Sequence, residues 1–484
     1  MKLSDLCTAS GITNYVLKGD AEVHRLVMDS RKIQAGDLFV AMPSANTDSH
    51  RFIEGALKDG AVGAIVHTES ALAESEDGLF LADYENNLWK LCKTLYGNPS
   101  GAMKLVGVTG TNGKTTTAWI IRDMLQSLGL SSAYLGTLGF QYPGKSVELP
   151  NTTPFVVDLY NYLVEARDAG VEALAIEVSS HALAQKRVEG LEFDVAIFTN
   201  FTQDHLDFHG NLEEYQAAKW RLFSDFAPPV GCFNVDDPVG VEWSQKFEGK
   251  GIRYTTQPGK DGELVGKPLE VSLTGIELEL SFDEDAISVH SNLAGDYNVS
   301  NLVSACSALL GLGYSLDEVS KAVPYATPVP GRFESIQNDK QIGVIVDYAH
   351  TPDALEKLLD AVRPLTKSRI ITVFGCGGDR DATKRPLMAK SASERSDLTV
   401  ITSDNPRTEN PTSILEQIEV GIATGKKSVR IEDRIEAIHF AIREAKPGDT
   451  VVIAGKGHED YQIIGREKHH MDDRETARAA LNES

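Results

Sequence analysis

Cysteine is scarce and scattered in this 484-residue chain: Cys7, Cys92, Cys232, Cys306 and Cys376 form no CxxC pair. An odd, dispersed set excludes a disulfide framework and fits reduced thiols packed as small core residues. Cys376 lies in a glycine-rich loop, where a nucleophile is conceivable and a bystander is expected. Long apolar runs are missing as well, and none approaches the ~20 residues of a membrane span. Met1 to Asp5 lack the apolar core of a signal peptide, so a cytoplasmic location is expected. Basic residues number 47 against 70 acidic ones, a net charge of −23. That balance favours solubility and argues against a general nucleic-acid or anionic-membrane surface, while leaving room for a local basic pocket that takes an anionic small molecule.

With 42% hydrophobic and 24% charged residues, no low-complexity tract and no tandem repeat, the chain reads as globular. Its length calls for about three domains. Residues 1–98 read as a small α/β unit, with strands at Gly36 to Ala41 and Ala61 to Val66, ending at the turn Asn98-Pro99-Ser100-Gly101. Residues 99–328 alternate apolar strands (Lys104 to Val108, Ala173 to Val178, Val195 to Thr199) with helices, the pattern of a parallel doubly wound sheet. The helix after Lys114 carries Ala118, Ile121, Leu125 and Leu128 on one face and stops at Gly129. Beyond Pro328-Val329-Pro330-Gly331, residues 329–484 repeat the alternation with five more strands. Amphipathic helices separate these, such as Asp433 to Ala445 with Ile435, Ile438, Phe440 and Ile442. This third domain is Rossmann-like.

Gly107-Val108-Thr109-Gly110-Thr111-Asn112-Gly113-Lys114-Thr115-Thr116 follows a strand and opens a helix. There, backbone N–H groups cradle phosphates, a lysine neutralises them and a threonine hydroxyl reaches Mg²⁺. ATP is the expected ligand. The general spacing of such loops would place glycine at Val108; here the glycines fall at 107, 110 and 113. This variant resembles the phosphate loop of the Mur ligases, the ATP-dependent amide-forming enzymes of peptidoglycan synthesis, and is more distantly similar to that of folylpolyglutamate synthase. The resemblance runs through all three domains.

Glu177 ends a strand where an open α/β sheet places its ligands, and a carboxylate there holds Mg²⁺ through oxygen. The stretch Asn200 to Gly210 contains Asp204, His205, Asp207 and His209; with no cysteine among them and Mg²⁺ already called for, zinc is not expected. Lys219 reads on its own as an exposed helical lysine. The resemblance implies instead a lysine carbamylated by CO₂ (N6-carboxylysine), which with Thr115 and Glu177 would hold Mg²⁺ beside the phosphate in transfer; His205 would help organise substrate and metal. It also implies a nucleotide-sugar peptide site of Asn151, Thr152, Thr153, Ser179, Gln185 and Arg187, with Met28 and Ser30 from the first domain and a uridine-facing stretch at Ser44 to Thr47. Asn298, Asn301, Arg332, Asp347 and His350 match nucleotide-side positions, with ATP between the middle and third domains and closure assembling the site.

Four polar loops in the last domain each follow a strand: 347–350, 375–381, 403–407 and 455–459. In a parallel sheet all four share one rim. Arg380, Asp404, Asn405, Pro406, Arg407, Gly455 and Glu459 would face a small zwitterion there, arginine forks taking carboxylates and acids taking ammonium groups. The Asp-Asn-Pro-Arg run matches the diaminopimelate form of the family motif. The implied reaction passes the γ-phosphoryl of ATP to the terminal carboxylate of UDP-N-acetylmuramoyl-L-alanyl-D-glutamate, and the amine of meso-diaminopimelate then displaces phosphate. A monomer is expected. Rival readings are an L-lysine-adding ligase of the same family, a folylpolyglutamate synthase-like ligase, and a P-loop ATPase that switches a partner. A dead nucleotide-binding scaffold is disfavoured by the presence of Lys114, Thr115, Glu177 and His205.

Overall fold

The computed structural model describes residues 1–42, 48–68, 71 and 77–483; the uridine-facing stretch Ser44 to Thr47 lies outside them. The chain forms two compact units, one of Met1–Val265 with Val303–Ala322, the other of Gly266–Leu302 with Val323–Ser484.

In the first unit, a five-stranded sheet contains Asp37–Ala41 and Gly63–Val66, the two strands expected near the N-terminus. It packs on the larger sheet's helices through a polar knot. Leu26 N donates to Tyr96 Oη (2.8 Å), Tyr96 donates to Asn161 Oδ1 (2.7 Å), and Asn161 Nδ2 returns to Leu26 O (3.0 Å). The larger sheet runs Lys250–Thr255, Val230–Asn234, Val195–Phe198, Lys104–Thr109, Ala173–Glu177 and Ser132–Gly136, all parallel. Lys104–Thr109 lies between Val195–Phe198 and Ala173–Glu177, and the later strands are added on both sides of it, so ligand loops gather at its C-terminal end. Helix Lys114–Ser127 covers this strand. It buries Ala118, Ile120, Ile121, Met124 and Leu125 completely, at roughly 1.5–3 kcal/mol for each large aliphatic side chain. Leu128, expected on that face, is its half-buried C-cap.

In the second unit, the parallel strands run Gly343–Asp347, Thr450–Ala454, Ile370–Phe374, Leu398–Ile401 and Ser428–Arg430. Their register pairs Asp347 with Ala454, Phe374 with Ala454 and Phe374 with Ile401, so the four polar loops do leave one rim. Helix Pro411–Glu419 follows the Asp-Asn-Pro-Arg loop, with proline at its first turn and Asn410 Oδ1 accepting from Ser413 N at 3.2 Å, both start signals. Helix Arg434–Glu444 buries Ala437, Ile438, Ala441 and Ile442, while Ile435 is 47% exposed. The apolar face is therefore rotated from the expected one, because the small alanines rather than Ile435 pack on the sheet. Two features went unread in the sequence: antiparallel strands Ile276–Phe282 and Asp285–Ser291, and the hairpin of Tyr461–Ile464 with Glu467–His470.

Candidate active site

The phosphate loop is built around two left-handed glycines. Gly113 (φ +84°) caps helix Lys114–Ser127, and Gly110 has φ +144°, with a Cβ there falling 2.0 Å from Thr199 Oγ1. No other residue fits that approach. The next loop braces the cradle from behind: Asn112 N donates to Asn200 Oδ1 (2.9 Å), Thr199 Oγ1 to Asn112 O (2.6 Å), and Thr202 N to Thr111 Oγ1 (3.0 Å). Lys114 Nζ donates to the carbonyls of Gly110 (3.0 Å) and Thr111 (2.9 Å), curled back over the loop. Thr116 sits half-buried on the same first turn.

Glu177 is fully buried beside this cradle. Thr115 Oγ1 donates to its Oε2 at 2.9 Å, Thr137 N to its Oε1 at 2.8 Å, and Tyr134 Oη also to Oε1. All these donors are neutral, and among the described residues no basic side chain pairs with it. With the Thr115 hydroxyl it offers an all-oxygen donor pair that fits Mg²⁺. Tyr134 and Thr137 were not singled out in the sequence; their role emerges only once the neighbouring strand lies alongside.

Lys219, on helix Leu212–Ser224, is 1% exposed, which overturns its reading as a solvated lysine. Its Nζ donates to Gly110 O at 2.7 Å and stands 4.5 Å from the Tyr215 ring centroid. Burial, reinforced by Lys114, holds its pKa well below the usual lysine value, with Asp204 opposing weakly. Three histidines stand nearby. His181 faces His205 at 4.7 Å and His209 at 5.5 Å between ring centroids. Burial and the two neighbouring rings bring His181 down to about 4, and burial lowers His209, so both are neutral imidazoles at pH 7. His205 pairs with Asp204 at 3.4 Å, both about half exposed. Among the described residues no group of three or more His, Cys, Asp or Glu side chains has metal-binding geometry.

The loop after Pro150 is stitched to the end of the Glu177 strand. Thr153 Oγ1 donates to Glu177 O (2.8 Å), Ser179 N donates to Thr153 Oγ1 (3.2 Å), and Arg187 Nη1 donates to Thr153 O (2.7 Å). Arg187 is 8% exposed, lies over the Phe155 ring and has Gln185 Oε1 as a further acceptor at 2.6 Å. Thr152 meets Thr137 at 3.2 Å, and Asn151 is half-buried beside it. These expected substrate residues come together. Met28 packs on the core and Ser30 opens a short 3₁₀ turn; neither bonds to the 151–153 loop among the described residues.

In the second unit, Asn298 Nδ2 donates to Ala294 O (2.7 Å) and Asn301 Nδ2 to Asn298 Oδ1 (3.1 Å). Asp347 is held by Phe333 N (2.7 Å) and Ala349 N (2.8 Å); burial raises its pKa against those bonds. Arg332 stands 5.3 Å from the Tyr348 ring centroid with its Nε buried and, among the described residues, unbonded. His350 Nδ1 lies 2.9 Å from Tyr348 O.

On the rim, Arg407 has φ +50° and its backbone bonds to the hairpin, N to Ile463 O (3.0 Å) and O from Gly465 N (2.7 Å). Its guanidinium donates to Gly378 O at 2.8 Å; among the described residues no carboxylate pairs with it. Asp404 is 8% exposed, and a Cβ on Gly455 (φ +118°) would lie 3.0 Å from its Oδ2. Asn405 Nδ2 donates to Glu459 Oε2 at 3.0 Å, while the Pro406 carbonyl accepts from Glu409 N. Arg380 is exposed and, among the described residues, forms no hydrogen bond or ion pair; its Cγ and the Arg407 guanidinium both border Gly377. Cys376 is buried, 3.6 Å from the Met388 sulfur, and burial pushes its thiol up to about 12, which makes it an inert core residue.

A strand–glycine loop–helix cradle beside a buried carboxylate, with a separate zwitterion-sized cluster on a second parallel sheet, defines a nucleotide-dependent ligase of α/β architecture. Three family models match the chain: Mur ligase family, catalytic domain (22–89), Mur ligase middle domain (108–309) and Mur ligase, glutamate ligase domain (331–457). The chain belongs to the Mur ligase family. It is 44% identical over 492 residues to the UDP-N-acetylmuramoyl-L-alanyl-D-glutamate–2,6-diaminopimelate ligase of Trichormus variabilis, covering 100% of this chain and 99% of that one. It is 45% identical to the ligase of the same name from Synechococcus elongatus, covering 96% and 95%. A solved structure of a ligase of that name superposes with TM-score 0.71 at 34% identity, covering 95% of each chain.

Proposed function

We propose that this chain joins meso-diaminopimelate to UDP-N-acetylmuramoyl-L-alanyl-D-glutamate at the expense of ATP, in peptidoglycan synthesis. The observation that carries the amino-acid choice is Arg407, a guanidinium at the rim cluster with a backbone carbonyl for a partner and, among the described residues, no carboxylate in ion-pair contact. Diaminopimelate brings a distal carboxylate to such a group, and L-lysine brings an ammonium. A site left with an unpaired arginine discriminates by roughly 10⁴-fold or more. Asp404 and Glu459 supply the negative charge for the ammonium at the same end.

In the first step a substrate carboxylate oxygen attacks the γ-phosphorus of ATP. The bond to the bridging oxygen breaks, ADP leaves, and an acyl phosphate results. Lys114 and the loop N–H groups stabilise the charge that spreads over the phosphoryl oxygens. In the second step the neutral amine attacks the acyl carbon. The tetrahedral adduct expels phosphate and loses a proton from nitrogen, leaving an amide. Thr115 and Glu177 would hold Mg²⁺, which when bound supplies Lewis-acid stabilisation at the phosphates. Lys219, dry and depressed in proton affinity, presents the neutral amine that CO₂ requires to form a carbamate, and we assign it that modification. Thr153, Ser179 and Arg187 form an anion-compatible wall for the nucleotide-sugar peptide. Arg332, with its buried Nε unbonded among the described residues, and Asp347 are assigned to the nucleotide. Among the described residues no helix is long and apolar enough to cross a membrane, and we assign the reaction to the cytoplasm.

The test is phosphate release by purified protein with ATP, the muramoyl dipeptide nucleotide and a panel of amino acids. Release is expected only when all three are present and diaminopimelate is the amino acid, and Arg407→Ala is expected to abolish diaminopimelate use while sparing ATP binding. Equal use of L-lysine would overturn the amino-acid assignment, and release from ATP alone would overturn the ligase.

A further inference from the structure

Lys456 lies in the 455–459 loop, and the reaction above leaves its chemistry unused. Its side chain is 0% exposed, at the C-terminal end of strand Thr450–Ala454. A buried ammonium is costly unless it is paired and hydrogen-bonded. Here Nζ reaches Glu459 Oε2 and Asn405 Oδ1, each at 3.3 Å, and stands 5.5 Å from the Tyr461 ring centroid.

The same two partners are also bonded to one another. Asn405 Nδ2 donates to Glu459 Oε2 at 3.0 Å, and Ile463 N donates to Asn405 Oδ1 at 2.8 Å. Two donors on Asn405 Oδ1 fix its amide orientation, and that orientation aims Nδ2 at Glu459. Two donors on Glu459 Oε2 fix the carboxylate, and among the described residues none reaches Oε1. Glu459 is partly buried and shares its rim with the buried acid Asp404, and Arg434 is a further buried cation near both.

We infer that Lys456 is a positioning residue for the amino-acid substrate: it holds Glu459 turned so that Oε1 is presented to the substrate ammonium, and it locks Asn405 in the orientation that shares this task. It acts through Glu459 and touches no reacting atom. The inference rests on the assignment of this cluster to the amino acid.

The experiment is a double-mutant cycle on the full chain, with steady-state kinetics for diaminopimelate and ATP. Lys456→Met is expected to raise KM for diaminopimelate about 30-fold or more, with KM for ATP unchanged and kcat at saturating diaminopimelate within about threefold. Glu459→Gln is expected to raise the same KM. The double variant is expected to be little worse than the more damaged single one, because the lysine has nothing left to orient. Multiplicative effects in the double variant, or an unchanged KM for diaminopimelate in Lys456→Met, would overturn the inference. If Glu459→Gln itself leaves that KM unchanged, the assignment of the cluster fails, and that outcome is distinguishable from the first. Should Lys456→Met fold poorly, Lys456→Gln, which keeps a donor, is the second variant; recovery of KM to within about fivefold is expected, and no recovery over an alanine variant would count against a hydrogen-bonding role.

Discussion

The two ligand regions treat buried charge in opposite ways. In the first unit, Glu177 is a buried carboxyl with neutral donors and Lys219 a buried amine with a backbone carbonyl and an aromatic ring. In the second, three buried cations come already matched: Arg434 with Asp473 at 2.7 Å, both 0% exposed, Arg385 with Glu409 at 2.9 Å, and Lys456 with Glu459. Under the proposed function, the first region would be completed from outside, by phosphate, metal or a covalent group. The second would hold its shape through internal pairs while one arginine, Arg407, stays open for the substrate.

The widest gap between the regions should appear at Lys219. Lys219→Ala is expected to lower kcat by about 10³-fold or more with the fold intact, and a short carboxylic acid should restore part of it; full activity in the variant would place Lys219 among ordinary core residues. Next, Arg434→Met alone is expected to cost about 3–5 kcal/mol in chemical denaturation, whereas Arg434→Met with Asp473→Leu should lie near wild type. A double variant as damaged as the single would mean that the matching is not what the pair contributes. Glu177→Gln is expected to weaken Mg²⁺ activation about 100-fold, near 2.7 kcal/mol, measured as the metal concentration at half-maximal rate; an unshifted midpoint would remove it from the metal site.

The smallest effect is expected at Asp449. Burial raises its carboxyl, but Arg369 and the N–H groups of Lys446 and Arg369 outweigh it and bring it down to about 2. A folded-state pKa below the unfolded one stabilises the protein above the unfolded value, near 4, and that contribution is lost as pH falls toward 2. Asp449→Asn should therefore cost about 2 kcal/mol at pH 7 and flatten the acid limb of the melting curve. An acid limb identical to wild type would assign that limb to other carboxylates.

Much of this contrast was legible in the sequence on one side and hidden on the other. The phosphate loop and the four rim loops announce themselves because each is a contiguous run placed by a strand with a clear apolar period. Glu177 was found for the same reason. Lys219 was not legible from its helix, since Glu213, Glu214 and Arg221 around it give a solvated-looking pattern; only the resemblance to the family marked it. Lys456, Arg434 and Arg385 were missed because their partners lie far along the chain, as with Asn405 and Asp473, and no local period encodes such pairs. Ile435 misled because an exposed isoleucine and a buried alanine invert the usual weighting of a helix face.

The Gly110 carbonyl accepts from Lys114 at 3.0 Å and from Lys219 at 2.7 Å, so two lysine side chains compete for one oxygen. A phosphate that draws Lys114 away leaves that oxygen to Lys219 and also masks the positive neighbour that helps depress its proton affinity. Under the modification proposed above, CO₂ would meet Lys219 with its proton affinity at its lowest while the loop is empty, because burial and Lys114 then act together.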